Sequence, residues 1–164
     1  MESHRFLAQL DQSYWFEVTS QQNQICSLDY AAPPAGSSAA TPPLLKEAAQ
    51  QITAYLKGNL KQFDLPLAQL DPAYSAPPFQ RSVWQALLRI PYGEKMSYKQ
   101  IATEVNNPKA VRAVGGANRA NPLPIIIPCH RVVAQGKQLA PHYSFGGVRA
   151  QEYLLFLEQR HATL

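Results

Sequence analysis

The run Asn121 to Val133, NPLPIIIPCHRVV, sets a thiol, an imidazole and a guanidinium side by side at Cys129, His130 and Arg131. A cysteine in the wake of three isoleucines is, by composition, a small buried hydrophobe. Its flanks argue for chemistry: Pro128 holds the backbone, His130 is a titratable base and Arg131 a fixed positive charge. Nearby positive charge favours thiolate over thiol. A thiolate is a soft, strong nucleophile, suited to attack on saturated carbon that bears a good leaving group. That reaction needs a base to take the thiol proton and a group to orient the base. Neighbouring side chains on an extended strand point to opposite faces, so Cys129 and His130 meet only through a turn or a bridging water. Because Pro122, Pro124 and Pro128 fix φ and lack amide donors, the segment is predicted to be stiff, extended and largely buried.

The elements that must carry this segment are mostly helical. Beyond Pro78, the residues Val83, Trp84, Leu87, Leu88 and Ile90 give one apolar helix face, closed by Pro91 and Gly93. Ser97 predicts an N-cap for a helix over Tyr98 to Val105, which Asn106, Asn107 and Pro108 end. The next helix is expected from Lys109 to about Asn118, small on one side (Ala110, Ala113, Gly116, Ala117) and basic on the other (Lys109, Arg112, Arg119). Two short helices joined by a tight turn, the second basic, have the layout of a helix-turn-helix. Gly115 and Gly116 inside that helix cost about 1 kcal/mol each relative to Ala. Either close approach to a nucleic-acid backbone or tight helix packing accounts for them. A last helical pattern, Val148 to Arg160, turns Tyr153, Leu154 and Leu157 towards a core and carries Glu158.

The first half reads differently. Trp15, Val18, Ile25, Leu28 and Tyr30, around a polar turn at Ser20 to Gln24, predict a hairpin over Tyr14 to Tyr30. Ala31 to Pro43 is a loop or linker rich in Pro, Ala, Gly and Ser. Leu44, Leu45, Ala48, Ile52, Tyr55 and Leu56 then recur at helical spacing up to Gly58, and Phe63 to Leu67 is a candidate short strand. The Pro-rich stretch Pro72 to Pro78 marks a boundary. The expected fold class is therefore α+β: an N-terminal α/β part with a short antiparallel sheet over 1–77, and a mainly helical, winged-helix-like part over 78–164.

Composition narrows the function classes. With 164 residues and 46% apolar content the chain can bury a core. No apolar run reaches the roughly 18 residues of a membrane helix, and Met1 to Leu10 lacks the marks of a signal peptide, so a cytoplasmic protein with no membrane partner is expected. Cys26 and Cys129 lie far apart in sequence, and a reducing compartment argues against pairing them. The net charge of +4 hides an asymmetry: residues 1–78 carry −3 and residues 79–164 carry +7, the latter with no Asp. One half is thereby suited to a polyanion.

Three stretches, PFQRSVWQALLRIPYGEKMSYKQIA (Pro78 to Ala102), KAVRAVGGANRANPLPIIIPCHRVV (Lys109 to Val133) and, more loosely, GGVRAQEYLLFLE (Gly146 to Glu158), resemble the O6-alkylguanine-DNA alkyltransferases, also called methylated-DNA–protein-cysteine methyltransferases. They cover nearly all of the C-terminal half; the N-terminal half matches only in length and general organisation. The resemblance implies a single-turnover transfer of an alkyl group from O6-alkylguanine in double-stranded DNA to Cys129, and leaves activity on O4-alkylthymine open. His130, linked to Cys129 through water and oriented by Glu158, is implied as the base, and Asn121 ties the hinge to the active-site turn. Arg112 is implied as the finger that fills the place of the extruded guanine. Tyr98 presses on the phosphate beside the target and donates towards the reacting base. Lys109, Ala110, Ala113, Gly116, Ala117 and Arg119 meet the DNA, and Pro124, Ser144 and Trp84 line the substrate pocket. The implied partner is duplex DNA and the implied state a monomer, with no cofactor.

The scheme is physically coherent. O6 of guanine lies inside the stack, so the nucleotide must be flipped at a cost of a few kcal/mol, less for a poorly paired lesion. A helix entering a minor groove about 6 Å wide needs small side chains. Two departures from the family stand out. In place of a Gly-rich turn before a Tyr/Ser-Gly-Gly segment, the chain has Leu139-Ala140-Pro141-His142-Tyr143-Ser144-Phe145, with glycine only at Gly136, Gly146 and Gly147; by the resemblance this loop is one wall of the alkyl pocket. Some members also hold a structural zinc in the N-terminal half, where this chain offers only His4 and Cys26 as soft ligands, so no metal is expected and Cys26 reads as a strand-core thiol. Other classes compete: a non-catalytic alkyltransferase-like binder would lack the acceptor cysteine, a plain helix-turn-helix regulator leaves Cys129-His130 unexplained, and a cysteine hydrolase needs an oxyanion hole.

Overall fold

Phe6, Ala8 and Leu10 turn inward at every second position, with Leu7 exposed between the first two, and a strand, β1 (Glu2–Gln9), forms where the sequence predicts no element. The polar run at its start hides the period of two. It pairs antiparallel with β2 (Ser13–Gln21), which pairs antiparallel with β3 (Gln24–Ala31), giving a three-stranded sheet in the order β1-β2-β3. The expected hairpin is thus β2 and β3. Its turn residues Gln22 and Asn23 both have positive φ, 52° and 58°, the type I′ geometry that matches strand twist. The computed structural model describes residues 1–36, 40–135, 139 and 143–162.

Helix α1 (Pro43–Leu56) begins with proline in its first turn, where the missing amide costs nothing, packs against the sheet and buries Leu45, Ala48, Ile52 and Tyr55. Gly58, at φ 81°, turns the chain out of the helix. The strand expected over Phe63 to Leu67 does not form: only Leu67 makes an isolated parallel bridge, to Ile25, whose amide donates to the Pro66 carbonyl at 2.8 Å. Pro66, in the middle of the sequence LPL, removes a ladder amide from this short segment.

The C-terminal half follows with α2 (Pro78–Leu88), β4 (Met96–Ser97), α3 (Tyr98–Glu104), α4 (Val111–Arg119), β5 (Val132–Val133) and α5 (Gly147–His161), with β4 and β5 pairing in parallel. Ser97 caps α3 as expected, in a reciprocal capping box with Gln100. α2, α3 and α4 pack together, so the helix pair expected on spacing is present. One buried cluster runs from Phe16, Leu28 and Ile52 to Leu123, Ile127 and Leu154.

The segment Asn121 to Val133 corrects an expectation. It is buried, as proline content suggested, but it is folded rather than extended. Ile125 sits at φ 74°, a conformation costly for a β-branched residue. The Asn121 side chain compensates: its Oδ1 accepts from the Leu123 amide at 2.9 Å and its Nδ2 donates to the Ile127 carbonyl at 2.8 Å. The Cys129 amide donates to Ile127 O at 2.7 Å across Pro128, and a 3-10 turn, Cys129–Arg131, follows. Proline removes donors, so a side-chain amide and tight turns supply the pairing a strand would have had.

Candidate active site and nucleic-acid face

The turn delivers Cys129 and His130 into a sealed pocket, 1% and 0% exposed. Glu158, on the inner face of α5 and likewise 0% exposed, receives the groups that line it. His130 Nε2 lies 2.6 Å from Glu158 Oε2, and Tyr55 Oη donates to the same oxygen at 2.5 Å. Arg131 donates to both carboxylate oxygens, Nε to Oε1 at 2.8 Å and Nη2 to Oε2 at 2.9 Å, and the Gly93 amide donates to Oε1 at 3.1 Å. Arg131 Nη1 also donates to the Ile90 carbonyl at 2.7 Å. A bidentate guanidinium offsets the cost of burying the carboxylate.

These contacts assign the titration states. Burial alone raises the Glu158 carboxyl, but the hydrogen bonds and charges of His130 and Arg131 outweigh it and hold Glu158 well below the usual carboxylate range. Burial pushes the His130 imidazole down; Glu158 opposes this and Arg131 adds to it, leaving the ring below its ordinary value and neutral at pH 7. A neutral ring that donates from Nε2 to Glu158 carries an unprotonated Nδ1, and Nδ1 has no partner among the described residues. It is the free base of the site.

The sulfur differs from the expectation drawn from its neighbours. Arg131 spends its guanidinium on Glu158 and Ile90, not on Cys129. Burial pushes the Cys129 thiol up, and hydrogen bonds from Asn121, Tyr143 and the backbone only partly offset that. Cys129 therefore rests as a thiol, with Tyr143 Oη 3.8 Å from its Sγ. Deprotonation has to be driven by a base, not by ambient charge. Tyr98, the first residue of α3, is half-buried; burial, and to a lesser degree the charge of Cys129, raise its phenol while Arg119 lowers it, so the hydroxyl stays protonated and able to donate.

On α4, Arg112, Ala113 and Arg119 are exposed and Gly116 is half-buried, all on one outward face; Lys109 (exposed) and Ala110 (half-buried) precede it. Small and basic residues thus share a face instead of dividing the helix. Ala117 is corrected: at 2% exposure it points inward beside Val114, one helical step past the open face, and its carbonyl accepts from Trp84 Nε1 at 3.0 Å. The Trp84 indole is therefore spent joining α2 to α4 rather than lining a pocket. Of the remaining pocket residues, Pro124 is buried and Ser144 exposed. In the atypical loop Leu139, Tyr143, Ser144 and Phe145 are described, while Gly136, Ala140, Pro141 and His142 lie outside the described residues. Phe145 stacks on Tyr30 of β3 with ring centroids 4.5 Å apart, fastening the loop to the N-terminal sheet. Cys26 is half-buried on β3, not in the core, and donates to the Gln24 carbonyl at 3.6 Å.

Residues 78–160 match the family described as the DNA binding domain of 6-O-methylguanine DNA methyltransferase. The chain belongs to this family. It is 49% identical over 117 residues, 71% of this chain and 67% of the relative, to the constitutive methylated-DNA–protein-cysteine methyltransferase of Bacillus subtilis. To the methyltransferase of the same name from Methanosarcina barkeri it is 47% identical over 116 residues, 71% of this chain and 69% of the relative. Among solved structures, the Mycobacterium tuberculosis OGT in complex with DNA superposes with a TM-score of 0.75 at 34% identity, covering 90% of this chain and 88% of that one.

Within this family fold, Tyr55, Gly93 and Asn118 are participants that the sequence does not announce, and Arg131 has another partner than expected. Tyr55 lies more than seventy residues before the site it enters, and its helical spacing marked it only as core. Arg131 was read as acting on the sulfur. Gly93 and Asn118 act through a backbone amide and a carboxamide, Asn118 Nδ2 donating to the Cys129 carbonyl at 3.3 Å. The one available signal was a polar side chain on an otherwise apolar stripe, Asn118 beside Val114 and Ala117.

Proposed function

We propose that this chain repairs DNA by direct reversal, taking an alkyl group from O6 of guanine onto Cys129 Sγ in one irreversible turnover. The observation that carries the reading is the unpartnered His130 Nδ1, a buried acceptor on the residue that follows Cys129, while Nε2 is locked to Glu158. A buried acceptor left unpaired costs about 1–3 kcal/mol. A water between Nδ1 and Sγ would satisfy it and carry the proton. As the S–C bond forms, the C–O6 bond breaks; the thiol proton passes to His130, and guanine leaves neutral by taking a proton from Tyr98, which His130 can restore. A thioether has no leaving tendency, so the protein is consumed.

DNA as the partner is supported by the +7 charge of residues 79–164 and by α4. A Cβ added to Gly116 would meet nothing within 4 Å, and at Gly115 the nearest atom, Arg119 Nη1, lies at an ordinary 3.6 Å. Gly115 is buried on the inner side of α4. At Gly116 no neighbour in the protein requires a glycine, whereas a surface that must come close to a narrow groove does. On this reading the chain acts as a monomer inside the cell, residues 78–164 hold the lesion and the acceptor, and residues 1–77 support them.

Intact-mass measurement after incubation with duplex DNA containing O6-methylguanine tests the proposal. One added methylene mass on the peptide that contains Cys129, with one equivalent of repaired guanine, is expected. Tight binding without any mass change would instead make the chain a non-catalytic binder of alkylated DNA.

A further inference from the structure

Tyr55 sits in the last turn of α1, in the N-terminal part, yet its hydroxyl ends in the pocket beneath Cys129. It is fully buried, donates to Glu158 Oε2 at 2.5 Å and lies 3.2 Å from His130 Nε2. Three donors therefore converge on one carboxylate oxygen: the phenol, the imidazole Nε2–H and Arg131 Nη2. Resting on the transfer reading above, we propose that Tyr55 is a positioning residue of the proton relay, by which the N-terminal part sets the basicity of His130.

The reasoning is electrostatic. Glu158 pulls a proton onto His130 in proportion to the charge its Oε2 presents to Nε2. A hydrogen bond donated to that oxygen spreads the charge and weakens the pull. The Tyr55 phenol is held well above its ordinary value, by burial first and then by Glu158, so it stays a donor across the working range. Facing His130 are Glu158 from α5, Arg131 from its own turn and Tyr55 from α1; Tyr92 lies edge-on to Tyr55 with Arg131 over its ring, and Cys129 and Tyr143 lie on the side of the sulfur. Of these, Tyr55 alone both touches His130 and can be altered without unpairing a charge. The same bond fixes which nitrogen holds the proton. With Oε2 locked in place, Nε2–H is the favoured tautomer and Nδ1 remains the base.

The variant is Tyr55→Phe, with 4-fluorophenylalanine at 55 as a second form that refills the hydroxyl volume without donating. The first readout is the NMR titration of the His130 ring, which needs no DNA and no transfer. Loss of one hydrogen bond to Oε2 should raise the His130 pKa by about half a unit to one unit in both forms. The second is single-turnover transfer from O6-methylguanine duplex against pH, whose acid limb should move up by the same amount. A purely structural role would lower the melting temperature or the rate at every pH, leave both titrations in place, and overturn the assignment. If wild-type protein takes up no alkyl group but His130 still shifts, the hold of Tyr55 on His130 stands and the transfer reading falls.

Discussion

Glu158 is sealed from solvent and saturated by Tyr55, His130, Arg131 and Gly93, whereas Arg112 and Lys109 are exposed and, among the described residues, form no ion pair. Both regions lie mainly in the C-terminal half, with Tyr55 reaching the first from α1. In the first, most polar atoms have partners within the protein, while His130 Nδ1, Tyr92 Oη and Asn118 Oδ1 are buried without one. In the second, cations and bare backbone face outward and are completed only by something else. The relay is organised before DNA arrives; the face of α4 is not. Mutations in the two regions should therefore differ in kind.

The largest effect is expected at the sulfur. Cys129→Ser should abolish alkyl uptake and leave affinity for duplex DNA, and its dependence on salt, unchanged, because a hydroxyl is far less nucleophilic and α4 is untouched. Cys26→Ser should transfer normally. Alkylated protein recovered from Cys129→Ser would move the acceptor elsewhere and undo the division between chemistry and docking.

Next comes the carboxylate. Glu158→Ala strands a buried Arg131 charge and should cost about 3–5 kcal/mol in denaturant melts. The wild-type pH dependence follows from the same site. Glu158 is depressed in the folded state, so its contribution is fully present above the ordinary carboxylate range and lost as pH falls towards its lower folded value. His130 is depressed too, so the unfolded chain takes up its proton first, and stability falls as pH drops through the ordinary imidazole range near 6.5. Both signs agree: unfolding midpoints should decline from pH 7 to pH 5 and further below. A flat profile would mean that the pocket is not sealed.

On the exposed side, Arg112→Ala should slow repair of duplex DNA by roughly a hundredfold, the worth of a few kcal/mol of unpairing, while sparing free O6-benzylguanine. A lesion opposite an abasic site should partly rescue it. Equal losses on duplex and free base would place Arg112 in the pocket. Lys109→Ala and Arg119→Ala should weaken binding to damaged and undamaged DNA alike and flatten its salt dependence, each by about one phosphate's worth.

How far the sequence could be read follows the same divide. Cys129, His130 and the basic helix were visible because short motifs and helical periods are local, whereas the role of Glu158 came only from the family resemblance. Tyr55 was invisible as a polar participant because its partners lie on α5 and on the Cys129 turn, and only tertiary packing brings them within 2.5 Å and 3.2 Å. The strand β1 was missed because only Phe6 and Ala8 face inward along it, too few to establish a period. The extended reading of Asn121 to Val133 failed because proline restricts φ without fixing ψ, and the Asn121 side chain could close turns that no local pattern announces. Ala117 went wrong by a single helical step, which spacing cannot resolve at the edge of a buried face.

The smallest effect is also the most selective. In the free protein a methyl at Gly116 meets open space, so Gly116→Ala should raise stability by up to about 1 kcal/mol, the ordinary gain from replacing glycine inside a helix. Transfer from free O6-benzylguanine should be unchanged, since α4 takes no part in the chemistry at the sulfur. Binding to duplex DNA should nonetheless weaken, by roughly tenfold for a methyl that must be accommodated against the groove. A more stable protein that repairs duplex less well would show that the glycine is kept for the partner and not for the fold. Unchanged affinity would mean that the face of α4 stands off from the DNA, leaving the glycine without an explanation from either side.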